Sequence, residues 1–136
     1  MDYAMSLEAA LKLKEISYIH CEAYAAGELK HGTISLIENG TPIIALATSD
    51  ALFDKIESNI REVKSRGAYV ILICNDSIAK RSSTSADKVI SLPSSSLAAS
   101  LFASMTAVQL LAYETAVLRG CDIDRPRNLA KSVTVE

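Results

Sequence analysis

Ile43-Ile44-Ala45-Leu46-Ala47, opened by Thr41-Pro42, and Ala68-Tyr69-Val70-Ile71-Leu72-Ile73-Cys74 are two uninterrupted apolar runs of strand length. A strand with one wet face alternates apolar and polar residues. A continuous run fits a strand covered on both faces, and therefore a parallel sheet. Between the two runs, Ser49 or Asp50 caps a helix predicted over Ala51–Ser65, with Leu52, Phe53, Ile56, Ile60 and Val63 at helical spacing and Gly67 after its end. Strand, helix and strand of this kind form a βαβ unit.

Working outward, Lys88-Val89-Ile90-Ser91-Leu92 reads as a third short strand stopped by Pro93, and Asn75–Ala86 as a polar loop. Ser94, Ser95 and Ser96 offer caps for a long helix over Leu97–Arg119 closed by Gly120. Ser94–Ser96 also suit phosphate at a helix N-terminus, but capping accounts for them. On the N-terminal side a helix is predicted from Ser6 to Ala26, capped by Asp2 or Ser6, with no Gly or Pro inside it and Gly27 to close it. Turn signals at Gly32 and Asn39-Gly40 punctuate Glu28–Glu38. The order α, β, α, β, β, α and a tail implies a three-layer αβα sandwich with a mainly parallel sheet. Three strands are few for that class. Short segments adding edge strands, or membership in a larger protein, would complete it.

The 136 residues fit one domain with its own core, and 49% hydrophobic and 22% charged residues are ordinary for a globular chain. A net charge of −2 and a pI near 5.7 give no footprint for nucleic acid or an anionic membrane surface. No apolar run is read as approaching the ~20 residues of a membrane span, and Met1-Asp2-Tyr3-Ala4 lacks the charge-then-apolar order of a signal peptide. Cys21, Cys74 and Cys121 have no metal-ligand spacing and read as reduced cytoplasmic thiols. With two scattered histidines, no metal and no cofactor is implied.

Two polar features carry chemistry. On the first helix Glu8, Lys12, Glu15 and Glu22 fall within ~80° of arc. Glu8 and Lys12 are an i, i+4 pair, and Lys12 and Glu15 an i, i+3 pair. Such a stripe is either a solvated face or a lysine and a carboxylate side by side in a cleft, where burial lifts the glutamate towards a useful base. His31, between Gly27 and Gly32, sits where backbone can approach a ligand or a neighbouring subunit closely, whereas His20 reads as structural. The second feature is the tail, Asp124-Arg125-Pro126-Arg127-Asn128-Leu129-Ala130-Lys131-Ser132-Val133-Thr134-Val135-Glu136. A lysine fenced by apolar residues is either an ordinary solvated lysine or a desolvated, reactive amine.

Leu7-Glu8-Ala9-Ala10-Leu11-Lys12-Leu13-Lys14-Glu15-Ile16-Ser17-Tyr18-Ile19-His20, continued by Glu22–Gly32, and the whole of that tail resemble the isomerase domain of the glucosamine-6-phosphate synthases, the glutamine:fructose-6-phosphate amidotransferases. Ala9 and Thr33 depart from residues common in the family, and neither is a position of its chemistry. The resemblance implies a flavodoxin-like sugar-isomerase (SIS) fold, with residues 1–120 as the second SIS subdomain and 121–136 as an active-site tail. It implies that the nucleophilic-cysteine glutaminase domain and the first SIS subdomain lie elsewhere in a longer enzyme. The chain would then be a fragment, cut at an added Met1 and with little activity alone.

The resemblance assigns the C1-to-C2 proton shift of fructose 6-phosphate, on the way to glucosamine 6-phosphate, to Glu15 as base, with Lys12 holding charge or relaying a proton. It assigns ring opening to His31 across a homodimer and imine formation with the open ketose to Lys131. Ala130 and Arg127 fall in the substrate region. The alternative is a non-catalytic SIS module that binds sugar phosphates or serves as a dimerisation domain.

Overall fold

The computed structural model describes residues 1–81, 85–93 and 96–127. Both apolar runs are strands: β1 is Pro42–Ala47 and β2 is Tyr69–Asn75, with β3 at Lys88–Leu92 as expected. They form one sheet in the order β1-β2-β3, parallel throughout, with Ile43 opposite Val70, Ala47 opposite Cys74, and Asn75 opposite Leu92. β2 is the central strand, and its alternate side chains feed two cores. Val70, Leu72 and Cys74 point into one, with Phe53, Ile60, Val63 and Ile78; Ile73 enters the other, with Leu46, Leu92 and Val108. Burial on both faces is what an unbroken apolar run requires, and three layers follow.

The first core is roofed by α2 (Asp50–Ser65) and α3 (Asp76–Arg81). Phe53, Ile60 and Val63 of α2 point inward, while Leu52 faces solvent. The second core lies under α1 (Asp2–Ser17) and α4 (Leu97–Leu118). Ser100, Ser104, Val108, Ala112 and Ala116 form the buried line of α4, a small-residue seam at i, i+4 that lets α1 approach closely. The Ser96 hydroxyl caps α4 by accepting from the Ala99 N–H at 3.3 Å.

Four expectations are corrected. The first helix stops at Ser17, nine residues early, because Tyr18 turns left-handed at φ 59°. Residues 18–25 form no regular element, and two short 3₁₀ helices follow, η1 (Ala26–His31) and η2 (Thr33–Leu36). Neither Asp2 nor Ser6 caps α1. Met1 is the N-cap, and Asp2, already helical, accepts hydrogen bonds from the Thr48 N–H and hydroxyl beyond β1. The polar loop after β2 contains α3, whose Ile78 is fully buried. Finally, α4, at 22 residues and a mean hydropathy of 1.4, is long and apolar enough to cross a membrane. One face packs on the sheet and α1, but only 22% of its apolar window is buried, and Phe102, Leu110, Tyr113 and Leu118 remain exposed on its far side. α1 is likewise not covered all round: Tyr3, Leu7 and Leu11 are exposed.

Candidate functional site

The site is built on the last two turns of α1. Lys12 lies between two carboxylates, 3.0 Å from Glu15 Oε2 and 3.5 Å from Glu8 Oε1. Helical spacing alone makes this arrangement, since residues three and four apart share a face. The hydrogen bond to Glu15 holds the Lys12 ammonium above its ordinary pKa, with the charges of Glu15 and Glu8 adding and partial burial opposing. Lys12 is therefore a fixed positive charge beside Glu15. The pair is half-open: side-chain exposures are 36% for Lys12 and 37% for Glu15. Glu22 is not part of this stripe. The helix ends before it, and Glu22 instead pairs with Tyr24 and lies 3.8 Å from His20, in the segment after α1. That segment leaves His20 exposed rather than inside a helix.

One turn beyond Glu15, the chain from α4 returns to α1. Gly120 takes the left-handed conformation (φ 67°), and the Cys121 thiol points at the Ser17 carbonyl at 4.0 Å. Asp122 Oδ1 accepts from the Asp124 and Arg125 amides, an Asx turn that reverses the chain. Arg127 then meets Tyr18. Its N–H donates to the Tyr18 hydroxyl at 2.9 Å, and its guanidinium carbon lies 3.6 Å from the ring centroid, within cation–π range. Lys14, Glu15, Tyr18 and Arg127 line a shallow, open depression of about 420 Å³.

Of the residues singled out in the sequence, Lys12, Glu15 and Arg127 converge here. Ala130 and Lys131 lie outside the described residues. His31 is not brought to Glu15. It ends η1, whose Lys30 pairs with Glu62 of α2 at 2.8 Å and whose Leu29 packs on the α2-side core. Glu15 belongs to α1 in the opposite layer, so the sheet stands between the two elements. The sequence reading missed Tyr18 as a contact of the tail. Its only signal was a bulky residue where a helix-closing glycine is usual, which no periodicity exposes. Among the described residues no group of three His, Cys, Asp or Glu side chains converges to hold a metal. The three cysteines are free, and burial, with the charge of Asp76 adding, pushes the Cys74 thiol up to about 11, far from a reactive thiolate.

Comparison with known proteins gives this geometry a context. The family model of the SIS domain matches residues 1–119. Glutamine–fructose-6-phosphate aminotransferase (isomerizing) of Caldanaerobacter subterraneus subsp. tengcongensis is 56% identical over all 136 residues, and the chain spans 22% of that relative's length. The solved C-terminal domain of glucosamine-fructose-6-phosphate aminotransferase from Francisella tularensis is 40% identical and superposes with a TM-score of 0.84, over 89% of this chain and 34% of that one. Glucosamine-6-phosphate deaminase from Thermotoga maritima is 28% identical with a TM-score of 0.72, over 98% of this chain and 37% of that one.

Proposed function

The chain belongs to the SIS domain family, and we propose that it supplies one half of the isomerase site of a glutamine:fructose-6-phosphate aminotransferase. The observation that carries this reading is the Lys12–Glu15 pair at 3.0 Å, set beside the depression that Arg127 helps to line. A carboxylate in this position takes a proton from C1 of the open-chain sugar and returns it to C2. The ammonium one helical turn away offsets the negative charge that develops on the sugar oxygen during the shift. Lys12 is held protonated, so it serves as that charge and not as a nucleophile. The neutral amine falls to Lys131 in the tail. It adds to the C2 carbonyl and water leaves, giving an imine whose formation needs an amine depressed by apolar neighbours; ammonia then adds at C2 and displaces the lysine, which leaves as the free amine before the proton shift.

His31 opens the sugar ring in the site of a second subunit. Its position in the layer away from Glu15 supports a role across a homodimer over a role beside its own Glu15. The reaction takes fructose 6-phosphate to glucosamine 6-phosphate in the cytoplasm. Ammonia and the phosphate contacts come from the glutaminase and first SIS parts of a longer protein, so the 136 residues alone dimerise and turn over little substrate.

The test is Glu15→Gln in the full-length enzyme, followed by conversion of fructose 6-phosphate with solvent-deuterium incorporation at C2. Loss of a positioned base lowers the rate by about 10²–10⁴-fold, with unchanged circular dichroism. A variant that retains isomerisation within a few-fold of wild type rules out Glu15 as the base.

A further inference from the structure

We propose that Tyr18 is a positioning residue for this reaction: its ring and hydroxyl together seat Arg127, and so fix where the C-terminal tail leaves the domain, next to Glu15. The inference rests on the reading of Glu15 and Lys131 given above, but its structural ground is separate.

Tyr18 is the one non-glycine residue with positive φ among the described residues, at φ 59° and ψ 24°. A left-handed helix terminus is the place where glycine costs least and a bulky side chain is an outlier. Closing α1 would be done better by glycine, so the side chain has another use. Its two contacts show what that is. The hydroxyl accepts the Arg127 N–H at 2.9 Å, and the guanidinium of the same residue lies over the ring at 3.6 Å. One side chain thus holds both the backbone and the side chain of a residue 109 positions away. The approach path is also built: Cys121 against Ser17, then the Asx turn at Asp122, deliver the chain to that point. Tyr18 is the C-cap of α1, three residues after Glu15, and both line the same depression, so the seat directly adjoins the helix that carries the base. Arg127 is the last of the described residues, so its seat fixes the point from which the chain continues.

Two substitutions in the full-length enzyme separate positioning from fold. Tyr18→Gly suits the left-handed backbone and removes both contacts, whereas Tyr18→Phe keeps the ring and removes only the acceptor. The readouts are borohydride trapping of fructose 6-phosphate on Lys131, kcat and KM for isomerisation, hydrogen exchange of the Arg127 amide, and the thermal midpoint.

Tyr18→Gly is expected to keep or raise the midpoint, to deprotect the Arg127 amide, and to slow trapping and kcat by about 10–100-fold, the order of loss that misplacement of a reacting group causes. KM is expected to stay within about three-fold, and Tyr18→Phe to fall between wild type and Tyr18→Gly, since its ring still holds the guanidinium. A folded Tyr18→Gly enzyme that traps sugar on Lys131 within two-fold of the wild-type rate overturns the proposal. Wild-type enzyme that is not trapped on Lys131 at all overturns the reading beneath it as well, and that outcome is recognisable before any variant is made.

Discussion

Replacing Glu15 by glutamine removes one of the two charges that hold Lys12, and the structure sets the size of the effect. At 3.0 Å from Lys12 Nζ, a full carboxylate charge in water contributes about 1.4 kcal/mol. Both side chains are more than a third exposed. Screening and the entropy of holding two long side chains reduce such pairs to about 0.2–1 kcal/mol. The Lys12 pKa should therefore fall towards its ordinary value in Glu15→Gln, as the glutamine amide still accepts a hydrogen bond but carries no charge. Glu8→Gln should lower it less, because Glu8 lies farther off at 3.5 Å.

The assay is a titration of ¹³C-methylated lysines by NMR, with assignment by Lys12→Arg. The sign follows from the direction of the perturbation. An amine raised in the folded state stabilises the fold fully below its unfolded pKa and loses that contribution as pH rises through the folded value. Wild type and Glu15→Gln should therefore differ in stability at neutral pH and converge in strong alkali. An unchanged or increased Lys12 pKa in Glu15→Gln, or a larger fall in Glu8→Gln, refutes the reasoning. So does borohydride trapping of a sugar phosphate on Lys12, because even an unperturbed lysine is only about 0.4% neutral at pH 8.

Three further outcomes test the scaffold. Phe53→Ala empties a side chain that is 1% exposed in the α2-side core and should cost about 3–5 kcal/mol in urea unfolding. A cost under 1 kcal/mol would contradict the packing. Gly67→Ala should destabilise by about 1–3 kcal/mol, because Gly67 has φ +91° and a Cβ there would meet Asn39 Cα at 2.9 Å; a neutral result in the same urea unfolding would refute the turn. The Lys64 ammonium at 2.6 Å, with the Val70 N–H, holds the Asp87 carboxyl below its usual pKa. Such a depressed group stabilises the fold above its unfolded pKa, so Asp87→Asn should be less stable than wild type at pH 7. Stability curves by thermal melting should converge as pH falls below about 3.9, and a difference that persists or widens in acid would be incompatible with this pairing.

The sheet was legible because β1 and β2 are buried on both faces, so nothing interrupts their apolar runs. The Lys12–Glu15 pair was legible because helical spacing alone puts i and i+3 together. The end of α1 was not. Tyr18–Ala26 has residues that tolerate a helix and no breaker, and the left-handed turn at Tyr18 accompanies a contact with Arg127 that no local pattern reports. Glu22 left the stripe for the same reason. α3 escaped notice because six residues with one fully buried side chain, Ile78, are too short for periodicity to speak. That His31 and Glu15 occupy different layers depends on which face η1 joins, and its Lys30–Glu62 and Leu29 contacts settle that only in three dimensions.

The placement of Glu15 and His31 on opposite layers has a consequence for genetics. If a site takes its base from one subunit and its ring-opening histidine from the other, a defect at Glu15 and a defect at His31 complement. Random pairing of Glu15→Gln and His31→Ala subunits makes half the dimers mixed. In each mixed dimer both lesions fall in one site and the other is intact, so two inactive populations together recover about one quarter of wild-type activity.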